Sequence, residues 1–225
     1  LSKFTNPFIF INFKAYKEVE GAGALEIAKA CEEVADSNGV SIIVCPPVVE
    51  LSHVSKNVDI PVFAQSVSPK ASGACTGWVT PSMVKVTGAM GTLISHSENK
   101  YELETVMECV DLTRSEGLKS VVCVENLSSA IEYSSFNPDF IAIEPPELIG
   151  GDISVTTANP KIVSNTVEGV KRINKDIFVL CGAGVKTGED VREAMSLGAE
   201  GVLLASGVVK SKDPKGALLD LIKYV

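Results

Sequence analysis

Eight short apolar runs punctuate this chain, and a stretch of helical patterning follows each one. The runs are Phe8–Ile11, Val40–Cys45, Ile60–Gln65, Gly91–Ser95, Val121–Val124, Phe140–Ile143, Ile177–Cys181 and Gly201–Ala205. Each is strand-length and bounded by turn residues. Most of their positions are apolar in succession, not in alternation, so both faces of each strand must be covered. Strands of that kind belong to parallel sheets packed under helices. Eight of them in 225 residues predict an α/β fold, a lean (β/α)8 barrel spanning 1–225 as one domain. A doubly wound open sheet is the alternative. It would favour a Gly-rich fingerprint after the first strand, where this chain has Asn12-Phe13-Lys14. No linker or second domain is visible.

The stretches between the runs carry helix signals. Ala24, Ala28, Cys31 and Ala35 recur at helical spacing, which predicts a helix from about Gly21 to Ser37, ended by Asn38-Gly39. A short helix carries Val49 and His53. Residues 66–79 are small and polar, include the only tryptophan, Trp78, and read as a long loop. Thr80-Pro81 caps the helix after it. Further helices are marked by Leu103, Val106, Met107 and Val110, by the stretch reaching about Tyr133, by Val191, Ala194 and Met195, and by Leu218, Leu221, Ile222 and Val225. Asn159-Pro160 reads as N-cap and first residue of another, running to about Ile173.

Composition excludes some classes of function. Net charge is -8, which argues against a general nucleic-acid binder, since that would show a basic face. It does not argue against a small anionic ligand, because screening over about 8 Å leaves local charges to decide. No apolar run is long enough for a membrane span. The N-terminal residues lack the apolar core of a signal peptide. The six cysteines form no C-x-x-C pair and no zinc spacing. They read as reduced, mostly buried thiols of an intracellular protein, and the expected location is cytoplasmic.

The chemistry gathers at the C-terminal ends of the strands, where (β/α)8 barrels place their sites. Asn12 and Lys14 follow the first strand, His96 and Glu98 the fourth, and Glu144 the sixth. Pro145 biases Glu144 towards an extended backbone, so the strand direction carries through the acid. A loop of about fifteen residues then runs to Ala158, and loops that long are usually functional or disordered. Gly150, Gly151, Gly182, Gly184 and Gly207 follow strands six, seven and eight, and turns of this kind offer backbone N–H groups to an anion. Taken singly, Lys14 reads first as a solvated lysine, His96 equally as a structural histidine, and His53 only as a surface residue. Jointly, a base, an electrophile, a cation and anion cradles share one face.

These residues resemble the triosephosphate isomerase family, in the short form typical of archaea. The resemblance covers essentially the whole chain. It rests on Asn12-Phe13-Lys14, Gly73-Ala74-Cys75-Thr76-Gly77, His96-Ser97-Glu98, Ile143-Glu144-Pro145-Pro146-Glu147-Leu148-Ile149-Gly150, Cys181-Gly182-Ala183-Gly184-Val185 and Ala205-Ser206-Gly207. It implies a TIM barrel that interconverts D-glyceraldehyde 3-phosphate and dihydroxyacetone phosphate in glycolysis and gluconeogenesis, without metal or organic cofactor. In that reading Glu144 is the general base, and neutral His96 polarises the carbonyl. Lys14 stabilises the enediolate, Asn12 positions the substrate and Glu98 fixes Lys14. N–H groups at Ile149, Gly150, Gly184, Ala205 and Ser206 cradle the phosphate. Residues from Pro145 to about Val155 would close as a lid. The family's lid usually ends Ile-Gly-Thr-Gly, whereas this chain has Ile149-Gly150-Gly151-Asp152. Asp152 adds a carboxylate near a dianionic ligand. The resemblance also implies self-association as a homodimer or homotetramer through the loop at 66–79.

Overall fold

The computed structural model describes residues 5–145 and 155–225. Among these, eight strands run in parallel: β1 Phe8–Asn12, β2 Ser41–Cys45, β3 Phe63–Ala64, β4 Gly91–Ile94, β5 Lys119–Val124, β6 Phe140–Ile143, β7 Phe178–Gly182 and β8 Gly201–Leu204. The sheet order is β2-β1-β8-β7-β6-β5-β4-β3. Its two outer strands also meet, through a parallel bridge between Val44 and Val62 and a bond from the Val44 N–H to the Pro61 carbonyl at 3.1 Å. The sheet therefore closes into a (β/α)8 barrel, and the open-sheet alternative falls. β3 is shorter than its six-residue run because Pro61 has no N–H to offer a ladder and only accepts.

The helices are α1 Ala22–Asn38, α2 Val48–Ser55, α3 Pro81–Val86, α4 Leu103–Ser115, α5 Leu127–Ser134, α6 Val155–Ala158, α7 Pro160–Ile173, α8 Gly188–Ser196, α9 Ser206–Val209 and α10 Pro214–Leu221, with a 3-10 turn at Lys17–Val19. Gly39 ends α1 in the left-handed region at φ 67°, which glycine adopts without a Cβ penalty. Thr80 caps α3 by accepting from the Met83 N–H at 3.2 Å. Asn159 stands before α7 as expected, with Pro160 at the first position, but its side chain makes no capping bond. Two four-residue helices were not legible. α6 occupies the end of the stretch read as loop, and α9 follows β8 directly. Four residues are too few for a 3.6-residue period to show.

The uniformly apolar runs resolve into two layers. Phe8, Phe10, Phe63, Leu93, Phe140 and Leu180 point into the barrel, while Ile9, Ile11, Ile42, Val44, Ile141 and Ile143 face the helices. Aromatic rings plug the interior edge to face, with Phe8–Phe140 centroids at 5.2 Å, Phe10–Phe140 at 5.3 Å and Phe10–Phe63 at 5.4 Å. Such pairs add to the area buried by each ring. Strand alternation then fixes what lies above the plug. Asn12 continues the inward parity of Phe8 and Phe10, Glu144 that of Phe140 and Ala142, and Gly182 that of Leu180.

Candidate active site

A cleft opens at the C-terminal ends of the strands. Asn12, Lys14, Tyr16, His96 and Glu144 line it, together with residues 183–186 and 203–206. The structure thus brings together Asn12, Lys14, His96, Glu144, Gly184, Ala205 and Ser206, which come from five strand tips. The expectations for Ile149, Gly150 and the lid pattern at Gly151-Asp152 fall on 146–154, outside the described residues. His53 is exposed on α2, away from the cleft.

Lys14 is held in an unusual backbone conformation. Its φ is 52°, a region that L-residues with a Cβ rarely occupy. Two bonds hold it there. Its N–H donates to Asn12 Oδ1 at 2.9 Å, and its carbonyl accepts from Gln65 Nε2 at 2.9 Å. Gln65 also donates to the Cys45 carbonyl at 2.9 Å, so one amide ties the ends of β1, β2 and β3 together. The Lys14 ammonium meets Glu98 Oε1 at 2.7 Å, the partner that the family resemblance implied.

His96 is turned by its neighbour. Leu93 faces inward, so strict alternation would aim Ser95 at the cleft and His96 away. Ser95 has φ 58°, which breaks the alternation and buries His96 at the site. His96 Nδ1 accepts from the Glu98 N–H at 3.2 Å. An acceptor at Nδ1 places the proton of the neutral ring on Nε2. That nitrogen faces Glu144 Oε2 at 3.6 Å, beyond hydrogen-bond length.

Glu144 is 6% exposed, and its Oε2 has no hydrogen-bond partner among the described residues. Burial pushes its carboxyl above the ordinary range, and the Glu98 charge adds to that effect. His96, a hydrogen bond with Cys123 and the Lys14 charge pull the other way without prevailing. In turn burial, with Glu144 beside it, drives the Cys123 thiol well up, so it is a protonated donor and no nucleophile. A carboxylate that is costly to keep charged and has an oxygen with no partner is a strong proton acceptor.

Gly182 has a task that its sequence context concealed. Read as one of the anion-binding glycines, it is the inward residue ending β7. A Cβ built there would lie 2.5 Å from Glu144 Cγ and 3.0 Å from Oε1. Its missing side chain is the space in which the acid sits. Beyond it Ala183 and Gly184 are both left-handed, at φ 67° and 73°. Asp190 pins the next turn by accepting from the N–H groups of Lys186 at 3.0 Å and Thr187 at 2.9 Å.

Sequence reasoning passed over Gln65, Cys123 and Tyr16. Gln65 stands at a strand tip, and Cys123 has the inward parity of Val121, so both carried a signal. Tyr16 carried none. Among the described residues, no group of three or more His, Cys, Asp or Glu is placed to hold a metal ion. No helix among them is long and apolar enough to cross a membrane. The six cysteines are free, five of them buried.

Fold and site together define a (β/α)8-barrel enzyme with a buried glutamate, an imidazole and a lysine at the mouth of the barrel. Residues 7–225 match the sequence profile described as triosephosphate isomerase. The triosephosphate isomerase of Methanothermus fervidus is 48% identical over 216 residues, which is 96% of this chain and 97% of the relative. That of Methanocaldococcus jannaschii is 46% identical, covering 96% of this chain and 99% of the relative. That of Methanosarcina acetivorans is 44% identical, covering 98% and 99%. The chain belongs to the triosephosphate isomerase family.

Proposed function

We propose that Glu144, His96 and Lys14 carry out the reaction of this family in this chain: the interconversion of D-glyceraldehyde 3-phosphate and dihydroxyacetone phosphate. The observation that carries the reading is the Glu144 oxygen with no partner, 3.6 Å from a histidine nitrogen that bears a proton, in the cleft that Lys14 lines. Glu144 takes the proton from one carbon of the substrate and returns it to the next. The His96 Nε2–H donates to the carbonyl oxygen as it gains charge. The Lys14 ammonium stabilises the enediolate between the two steps, an electrostatic contribution that a water-poor site strengthens. Asn12 positions the substrate. Gly184, Ala205 and Ser206 receive the phosphate, and Ile149 and Gly150 join them by the family pattern. An acid–base pair suffices for this proton transfer, so the reading calls for no metal or organic cofactor.

The chain would act as one catalytic domain over 1–225 in the cytoplasm, within glycolysis and gluconeogenesis. Self-association through the loop at 66–79 belongs to the same reading. Exposed apolar side chains support it: Trp78 in the loop, Val48 and Val49 on α2, Met83 and Val86 on α3, and Met90 beyond it. The test is a dehydrogenase-coupled assay with glyceraldehyde 3-phosphate. Turnover is expected in the parent chain, and Glu144→Gln should lower it by about 10²–10⁴-fold with the fold intact. A variant as active as the parent would remove Glu144 from the mechanism.

A further inference from the structure

Tyr16 lies two residues beyond Lys14 and lines the cleft with Lys186, Ala205 and Ser206. The reaction as read above assigns it nothing. The ammonium of Lys210 stands over its ring, 4.1 Å from the centroid. Lys210 follows α9, and its N–H donates to the Ser206 carbonyl at 3.1 Å. β1 and β8 are hydrogen-bonded neighbours in the sheet. Tyr16 and Lys210 therefore meet beside Ala205 and Ser206, on the side of the cleft remote from the tip of β4 that carries His96.

Charge explains why a cation there matters. Lys14 is matched by Glu98 at 2.7 Å, and Glu144 brings a second carboxylate to the cleft. Lys210 makes no ion pair among the described residues, so its charge at the ring face is not offset locally. An ammonium over a tyrosine face is attracted by the ring quadrupole, which holds a long, mobile side chain in one place. The ring in turn packs on the outer core, so the ammonium is mounted on a fixed support.

We propose that Tyr16 forms one wall of the phosphate end of the cleft and that Lys210, seated on the Tyr16 ring behind the residues that line the cleft, supplies positive charge to a dianionic phosphate ester bound there. They are binding determinants that touch none of the reacting carbons. The proposal rests on the triose phosphate reading only for the identity of the ester.

The test measures the Kd of phosphoglycolate by calorimetry, beside kcat and KM, for the parent and four variants. Lys210→Met and Tyr16→Leu, which remove the ammonium or its support, are each expected to weaken binding by about fivefold, the size of one solvent-screened charge–phosphate attraction. KM should rise in step and kcat change less. Tyr16→Phe, which keeps the face, and Lys210→Arg, which keeps the charge, should retain most of the affinity. The loss in Lys210→Met should shrink as added salt screens the charge. If Lys210→Met lowers the melting temperature but binds phosphoglycolate like the parent, the pair is only a clasp between loops, and the proposal is overturned. Should Tyr16→Leu fail to fold, the exposed Lys210 carries the test alone. A parent that binds phosphoglycolate without isomerising its substrate sinks the catalytic reading and leaves the wall to be judged on Kd. A parent that isomerises, with Lys210→Met and Tyr16→Leu unchanged in Kd, sinks the wall alone, and a parent that does neither overturns both.

Discussion

Glu144 is folded into a place that does not suit its charge. Burial raises its pKa, so between the ordinary carboxylate value of 4.5 and the raised one the native state holds a proton that the unfolded chain has released. Stability contributed by this group is therefore present below the ordinary value and lost as pH rises through the raised one. Glu144→Gln should accordingly melt at a higher temperature than the parent at neutral pH, and the difference should vanish near about pH 4, where both side chains are neutral. The same shift has a kinetic face: the acid limb of kcat/KM should lie above the ordinary carboxylate range, and a limb at 4.5 would contradict the burial argument. Gly182→Ala tests the space beside the acid. Its Cβ would stand 2.5 Å from Glu144 Cγ, so the carboxylate must move, and kcat should fall on the order of 10²-fold with KM less affected. Asn12, Lys14, His96 and Glu144 were legible because each is a polar residue that ends or follows an apolar run. Gly182 was legible only as a turn glycine, since which side chain fills the gap beside it depends on pairing with β6.

At the scale of elements, the loop from 183 to 187 shows how a helix start serves the site. Thr187 caps α8 by accepting from the Asp190 N–H, and Asp190 accepts from the amides of Lys186 and Thr187. Residues 183–186 line the cleft, so a loosened cap reaches the substrate. Asp190→Ala should cost about 1–2 kcal/mol in urea unfolding and raise KM more than it lowers kcat. An unchanged KM would separate the cap from the site. Eight strands and the longer helices were readable from period and boundary residues. β3 was overdrawn because hydropathy does not register that Pro61 lacks a donor. α6 and α9 escaped because each is a single turn, stabilised by what it packs against and not by its own pattern.

The whole molecule joins a dry aromatic plug to a polar mouth. Phe10 touches the rings of Phe63 and Phe140 across the barrel, so Phe10→Ala should lose about 3–5 kcal/mol and loosen the floor of the site. Outside, apolar side chains from α2, α3 and the loop at 66–79 stay exposed in the single chain, Val49 at 82% and Val86 at 78%. Patches of this kind mark association surfaces. Sedimentation should find at least a dimer, and Val86→Glu should shift it towards monomer without unfolding it. A parent that sediments as a monomer at all concentrations would dismiss the interface.

The sequence by itself determined the count and direction of the strands, the parallel α/β class they favour and the four polar residues at the strand tips. These are local matters: burial on both faces demands an apolar run, and a polar residue after it stands where the strand leaves the core. Tertiary structure alone decided three things. Closure at Val44 and Val62 set five strand tips around one cleft. Left-handed backbone at Ser95 turned His96, which alternation would have misaimed, towards the cleft. Pairing of β6 with β7 set Glu144 against a glycine. Each depends on which strand lies beside which, and neighbours distant in the chain leave no period in its sequence.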